Sequence, residues 1–128
     1  MKIASRYLFV FACVTGAMSV LTAAYVAHQS VLEEAVLRSL QSALQLQQFH
    51  ALALLLTAWM ARESGFNWSL GVAAAGFVAG IFCFSFNIEL RHLAGVELFR
   101  PITPYGGMAF VLGWLALAVS AFERHSQS

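Results

Sequence analysis

The chain has 128 residues, of which 60% are hydrophobic and 10% are charged, with a formal net charge of +1 and a mean hydropathy of +0.75. Soluble domains are about 45–50% apolar and about 25% charged; a chain this short cannot hide so much apolar surface in its own core, so the composition indicates a membrane protein. The near-neutral charge excludes a basic surface for nucleic acid, and the absence of Asp removes the commonest partner in carboxylate pairs and Mg²⁺ sites.

The first predicted membrane span covers residues 7–27. A transmembrane helix needs about 20 mostly apolar residues, and this run supplies them. Lys2 and Arg6 precede the run, a flank that also fits a signal peptide, but the apolar segment of such a leader is usually only about 7–15 residues long. We therefore predict a membrane helix that ends near His28, and a cleaved leader is the alternative.

An amphipathic helix is predicted next, over residues 31–45. Ser30 followed by Glu33 has the pattern of a capping box, in which a hydroxyl and a carboxylate bond to the free amides of a helix start. Apolar residues then recur at helical spacing, with polar residues mostly on the other side. Such a segment either lies along the membrane interface or forms the wet first half of the second span.

The second predicted span covers residues 44–61. Its fully apolar part, residues 49–60, is too short to cross a bilayer alone, so the helix must include the glutamines before it. This places Gln47 and His50 near a membrane boundary. Gly65 is expected to end the helix.

The third predicted span, residues 68–86, carries small residues at spacings that let two helix backbones approach closely in lipid. Packing inside the bundle is favoured over a face for a second copy of the chain. The residues assigned to helix packing are Gly71, Ala75, Gly76, Ala79 and Gly80 in this span, with Gly113 and Trp114 in the next.

A connection over residues 87–103 leads to the fourth predicted span, residues 104–122. Thr103 is expected to cap this helix, and Pro104 fits its first turn because no amide donor is needed there. Trp114 lies deeper than an interfacial aromatic belt. Its indole N–H therefore needs a partner inside the bundle.

These elements predict a single all-α domain, an integral membrane four-helix bundle with an interfacial amphipathic helix between spans 1 and 2. Both termini lie on one side, and the basic flank of the first helix favours the cytoplasm. The topology gathers polar residues at the opposite face, where ionisable groups are costly and are candidates for function. They are His28, Gln47, His50, Glu89, Arg91, His92, Thr103, Gly106 and Gly107.

Several uses of this polar cluster remain open. Its members either bond to loop carbonyls as interface residues, or bind and move a small ligand, lipid or proton, with His50 or His92 titrating near neutral pH. Gly106 and Gly107 either permit close helix packing or offer bare amides to an anion such as a lipid phosphate. Haem or metal binding is a weaker alternative, because the sequence has no H-x-x-x-H or C-x-x-C spacing.

Three blocks of sequence resemble a known family. They are Ala27-His28, the run QQFHALAL at residues 47–54, and the run ITPYGG at residues 102–107 with Gly113-Trp114 after it. Together they are similar to the small bacterial membrane proteins of domain of unknown function 423. The resemblance implies a four-helix protein of the bacterial inner membrane and implies no reaction. Phe86 stands where the family has glycine, which alters the packing expected there.

No catalytic motif is present, so an enzyme is not expected, and no cofactor is expected either. The leading hypothesis is a non-enzymatic accessory, assembly or interaction subunit of a larger membrane complex. Its partners would be the lipid bilayer and other membrane protein subunits. The alternative is a protein that binds or transports a small ligand, lipid or proton through the polar cluster.

Overall fold

The computed structural model describes residues 2–96 and 100–125. Over these residues the chain forms four long helices and no strand. They are α1 (Lys2–Ala27), α2 (Glu34–Ser64), α3 (Trp68–Ala94) and α4 (Thr103–His125), with a short 3₁₀ turn over Arg100–Ile102 before α4. The all-α prediction is confirmed. α1 packs mainly on α2, and α3 packs mainly on α4.

Three of the helices are long and apolar enough to cross a membrane. These stretches are Ile3–Ala27 in α1, Trp68–Ala94 in α3 and Thr103–Glu123 in α4. α2 has 31 residues, or roughly 45 Å of helix. It is not among these three, because polar residues interrupt its first half and reduce its hydropathy.

The predicted interfacial helix is not a separate element. α2 begins at Glu34 and continues without a break to Ser64, so the alternative, a polar first half of the second helix, is the one observed. The predicted capping box is also wrong, since Glu33 occupies the cap position without a side-chain hydrogen bond. Leu40 and Leu44 are buried beside Val26 and Ile88, so this apolar face packs against protein.

α3 extends well beyond the predicted end at residue 86. It is α-helical over Trp68–Gly80 and then contains two π-helical stretches, Ile81–Phe86 and Leu90–Ala94. Residues 87–94 of the predicted connection are therefore helical. The helix ends at Gly95, whose φ of 68° is left-handed and favours glycine.

The glycines of α3 and α4 bring the two backbones together. A Cβ atom added at Gly76 would lie 2.8 Å from the carbonyl oxygen of Ala109 and 3.0 Å from Cα of Gly113. Gly80 and Gly113 likewise face phenylalanine rings of the neighbouring helix. The other small residues of the predicted packing set face outward: Gly71 has open space beside it, and Ala75 and Ala79 are exposed.

The turn between α2 and α3 fixes the opposite end of the bundle. Gly65 ends α2 with a φ of 80°, as predicted. The Asn67 side chain then caps α3 by accepting a 2.9 Å hydrogen bond from the amide of Leu70. Ser69 donates to Glu123 across 2.6 Å, which joins the start of α3 to the end of α4.

Candidate functional site

His50 is held inside the bundle by hydrogen bonds at both ring nitrogens. It is only 3% exposed. Nδ1 donates to the carbonyl oxygen of Leu46 across 2.7 Å, and Nε2 accepts the indole N–H of Trp114 across 3.0 Å. A ring that donates at one nitrogen and accepts at the other is neutral, so these partners specify one neutral tautomer.

Aromatic rings surround this imidazole. Phe110 stacks on His50 with ring centroids 3.6 Å apart and an interplanar angle of 10°. Phe49 and Phe77 lie at centroid distances of 5.3 Å and 5.6 Å. We call these residues and Trp114 the His50 aromatic cluster. A charged imidazolium here would oppose the Trp114 donor, so the geometry fits a packing role.

Gln47 and His50 lie within α2, well after its start. Gln47 lies 13 residues and His50 lies 16 residues beyond Glu34, which is roughly 20 Å and 24 Å along the helix axis. Gln47 is fully buried, and its Nε2 atom donates to the carbonyl oxygen of Thr15 across 3.2 Å. Both side chains therefore link helices deep in the bundle.

A second polar group joins the end of α3 to the start of α4. The hydroxyl oxygen of Thr103 accepts hydrogen bonds from Nδ2 of Asn87 at 3.3 Å and from a guanidinium nitrogen of Arg91 at 3.4 Å. Thr103, which was predicted to cap α4, is the first residue of that helix. Its hydroxyl oxygen accepts hydrogen bonds from side chains of α3. These contacts fix the segment of α3 that carries Glu89.

Glu89 is the buried carboxylate of this segment. It is 8% exposed, and its Oε1 atom is fully shielded without a hydrogen-bond partner. It lines a cavity of about 590 Å³ between α1 and α3, which we call the Glu89 cavity. The walls are mainly apolar and include Met18, Thr22, Phe82, Phe86 and Leu93. Across the described residues, the ion pair that forms is Arg38–Glu34, on the surface of α2.

The remaining predicted site residues are dispersed. His28 is exposed beyond the end of α1, and His92 is half-buried in the last π-helical stretch of α3. A Cβ atom at Gly106 would lie 2.7 Å from the amide nitrogen of Phe84, so its close approach is to the α3 backbone, whereas Gly107 has open space. In the described ranges, no three His, Cys, Asp or Glu side chains are placed to hold a metal ion.

The structure therefore divides the predicted polar cluster into separate groups. Glu89, Arg91 and Thr103 lie together at one end of the bundle, while Gln47 and His50 lie deep inside it. Sequence reasoning anticipated that the Trp114 indole needs a buried partner but did not identify His50 as that partner. It also missed Asn87 and the cavity beside Glu89, for which the only sequence signal was an isolated acid between apolar residues.

Comparisons with known proteins agree on one family. A family model described as a protein of unknown function, DUF423, matches residues 22–107. YgdD of Escherichia coli strain K12, a UPF0382 inner membrane protein, is 32% identical over 93% of this chain and 92% of its own length. A UPF0382 membrane protein of Haemophilus influenzae is 30% identical over 95% of this chain and 98% of its own length.

A more partial match is YwdK of Bacillus subtilis strain 168, a UPF0382 membrane protein that is 30% identical over 62% of this chain and 64% of its own length. No solved structure matches the chain. The family model covers most of the sequence. YgdD and the Haemophilus influenzae relative are membrane proteins that align with this chain over more than nine-tenths of their length. The chain therefore belongs to the DUF423 family of membrane proteins.

Proposed function

We propose that this protein is a non-enzymatic binding protein of the bacterial inner membrane, and that its ligand occupies the Glu89 cavity. The observation that carries the proposal is the buried carboxyl group of Glu89, a residue that lines a cavity of about 590 Å³ and has one oxygen without a hydrogen-bond partner. Ligand pockets usually have about 300–1,000 Å³, mostly apolar walls and a few polar groups. The membrane assignment is supported by the similarity to YgdD, an inner membrane protein.

The physical argument is the cost of burying a carboxyl group without a partner. A buried polar group that lacks a hydrogen bond costs roughly 2–7 kcal/mol, and an isolated charge costs far more. Buried ionisable groups in membrane helices therefore tend to serve a ligand, an ion or a proton. A ligand that supplies the missing partner of Glu89 offsets this cost.

Two other buried polar residues, His50 and Gln47, form hydrogen bonds with the protein, although Oε1 of Gln47 and the hydroxyl oxygen of Ser85 have no hydrogen-bond partner. His50 bonds Leu46 and Trp114, and Gln47 bonds Thr15, so each already connects two parts of the bundle. Glu89 differs because it is an ionisable residue that lines a cavity, and its Oε1 atom has no hydrogen-bond partner. The proposed site is therefore smaller than the polar cluster predicted from the sequence.

Native mass spectrometry of the full chain, purified from bacterial membranes in a mild detergent, tests this function. We expect a bound small molecule on the wild type that is lost from Glu89→Gln and from Thr22→Phe, which fills the cavity. Glu34→Gln is the matched control, because Glu34 is an exposed carboxylate paired with Arg38. A wild type without any small-molecule adduct, or adducts that persist in both cavity variants, would contradict the proposal.

A second candidate function is an interaction subunit of a membrane complex. Gly76 and Gly80 face α4 and are used inside the bundle, as predicted for this small-residue set. The supporting observation is instead the outward stripe of Gly71, Ala75 and Ala79, which leaves α3 free for a close approach by another helix.

The stripe can be tested by enlarging one of its residues. We expect Ala75→Leu to reduce the amount of membrane protein that co-purifies with the full chain in stoichiometric quantity. Val72→Leu is the control, since Val72 is exposed on the same helix and is already large. Equal co-purification with both variants, or a chain that purifies alone, would rule out a partner at this stripe.

A further inference from the structure

The Glu89 cavity combines a shielded carboxylate with apolar and aromatic walls. Its described lining contains no basic side chain, and Glu89 is its only acidic residue. We propose that the cavity binds a lipophilic organic cation, whose charge lies against the Glu89 carboxylate and whose apolar body lies between α1 and α3. This inference rests on the proposed function and adds the chemical class of the ligand.

The charges around Glu89 leave a cation as the missing complement. On the α1 side the cavity is lined by Met18 and Thr22, and on the α4 side by Ile102, none of which is ionisable. Leu40, Ala43 and Leu44 of α2 belong to the hydrophobic cluster that contains Ile88. His92 lies three residues after Glu89 on α3 and is half-buried. On α3 itself, the thiol of Cys83 lines the cavity, and the guanidinium of Arg91 donates to Thr103.

Two phenylalanines add a second feature that suits a cation. Phe82 and Phe86 line the cavity and meet edge to face, with centroids 5.2 Å apart and planes at 84°. Phe11 stacks on Phe82 at 5.6 Å and supports it from α1. Aromatic faces attract cations electrostatically, and the attraction grows when the cation has left water. The same rings give an apolar ligand body a contact surface.

Ligands of other classes fit the cavity less well. An anion would find no basic side chain in the described lining to compensate its charge in an apolar space. A purely apolar molecule would contact the walls but would leave the Glu89 carboxyl group without a charged complement. A hydrophilic cation would lose its hydration shell without using the apolar walls.

Binding also has a defined proton balance. An ionised carboxylate without a partner is very costly in an apolar cavity, so the empty cavity holds the neutral carboxylic acid. When the cation enters, the O–H bond of the acid breaks, the proton leaves to solvent, and the carboxylate pairs with the cation. Each bound cation therefore releases a proton, and no bond to the ligand is made.

The test uses tetraphenylphosphonium with the full chain in detergent. Calorimetric titration in buffers of different ionisation enthalpy measures both the affinity and the proton release. We expect the wild type to bind and to release a proton, and Glu89→Gln to weaken binding by about 30-fold or more. The matched control Glu34→Gln should bind like the wild type. Equal affinity of wild type and Glu89→Gln would overturn the proposal.

A neutral ligand of similar shape provides the second comparison. Tetraphenylsilane, which is neutral and has no hydrogen-bond acceptor, should bind much more weakly than tetraphenylphosphonium and without proton release; equal binding of the two would also overturn the cation assignment. Phe86→Leu keeps the cavity apolar but removes an aromatic ring. We expect this variant to bind tetraphenylphosphonium with lower affinity and still to release a proton from Glu89 on binding. Unchanged affinity in Phe86→Leu would contradict the role assigned to the ring.

The outcomes separate this inference from the proposed function. A small-molecule adduct that depends on Glu89, together with no binding of tetraphenylphosphonium, would overturn the cation assignment and leave a binding site of another class. Loss of both the adduct and the phosphonium binding from the wild type would overturn both proposals. Thermal unfolding of Glu89→Gln, which preserves side-chain shape, confirms that the variant is folded before either experiment.

Discussion

Trp114 of α4 donates its indole N–H to Nε2 of His50 in α2 across 3.0 Å. The two residues are 64 positions apart, and the bond connects helices that otherwise belong to different pairs, α1 with α2 and α3 with α4. In an apolar interior a hydrogen bond of this kind restricts how the helices can pack, because a buried donor or acceptor without a partner is costly. The bond therefore orients one helix pair against the other.

Trp114→Phe tests the energetic value of this bond. The substitution keeps an aromatic ring but removes the N–H donor, so Nε2 of His50 loses its partner. We expect the free energy of unfolding to fall by about 1–3 kcal/mol, measured by denaturation in detergent micelles. Trp59→Phe is the control, since Trp59 is 57% exposed. Similar losses in the two variants would show that the bond contributes nothing specific.

His50→Ala should destabilise the protein without removing its ligand. The imidazole stacks on Phe110 at 3.6 Å and lies away from the Glu89 cavity. Truncation leaves a void in the aromatic cluster, which we expect to cost about 2–5 kcal/mol of unfolding free energy. Tetraphenylphosphonium affinity, measured on the folded fraction, should match the wild type.

Glu89→Gln should give the opposite pattern, with a folded protein of near-native or higher stability and weakened cation binding. An amide is neutral and close in size to the protonated carboxyl group of the empty cavity, although it still needs hydrogen-bond partners. The pair of variants thus separates a structural role from a binding role. A ligand defect in His50→Ala would return His50 to the candidate site.

The sequence patterns predicted the helices more successfully than their ends. The apolar runs gave the positions of α1, α3 and α4, because hydropathy over about 20 residues depends on composition alone. The end of α3 was missed, since residues 87–94 mix polar and apolar side chains and no residue before Gly95 forces a turn. The polar start of α2 was open to two interpretations, and packing against Val26 and Ile88 decided between them.

The arrangement of the site depends on features that periodicity does not contain. A π-helical stretch turns less per residue than an α-helix, so the Ile81–Phe86 segment shifts the direction of every later side chain of α3. An α-helical projection therefore does not assign Glu89 to the cavity between α1 and α3. The His50–Trp114 bond likewise depends on how two helix pairs meet, which is information about tertiary structure.

Alanine substitutions at the adjacent glycines Gly106 and Gly107, near the start of α4, should have opposite effects on the free energy of unfolding. A Cβ atom at Gly106 would lie 2.7 Å from the amide nitrogen and 2.9 Å from Cβ of Phe84, whereas Gly107 has no neighbour within 4 Å. We expect Gly106→Ala to lower the free energy of unfolding by about 1–3 kcal/mol through overpacking. Gly107→Ala should raise it by about 0.5–1 kcal/mol, because alanine favours a helix.

Thermal unfolding of both variants in the same detergent makes this comparison, and each serves as the control of the other. The pair also tests the interpretation of Gly106 as part of an anion site. If Gly106→Ala were as stable as Gly107→Ala, the close contact between α4 and the π-helical stretch of α3 would not exist, and a bound anion would again be an alternative.

Thr103→Val should loosen the end of α3 that carries Glu89. The variant keeps the size of the side chain but removes the oxygen that accepts hydrogen bonds from Asn87 and Arg91. We expect a loss of about 1–3 kcal/mol and faster amide hydrogen exchange over residues 87–94, measured by mass spectrometry. Thr103→Ser retains the acceptor and is the control. Because Glu89 lies between the two donors in sequence, weaker cation binding should accompany the faster exchange. Unchanged exchange in Thr103→Val would mean that α3 is held at this end by its apolar contacts alone.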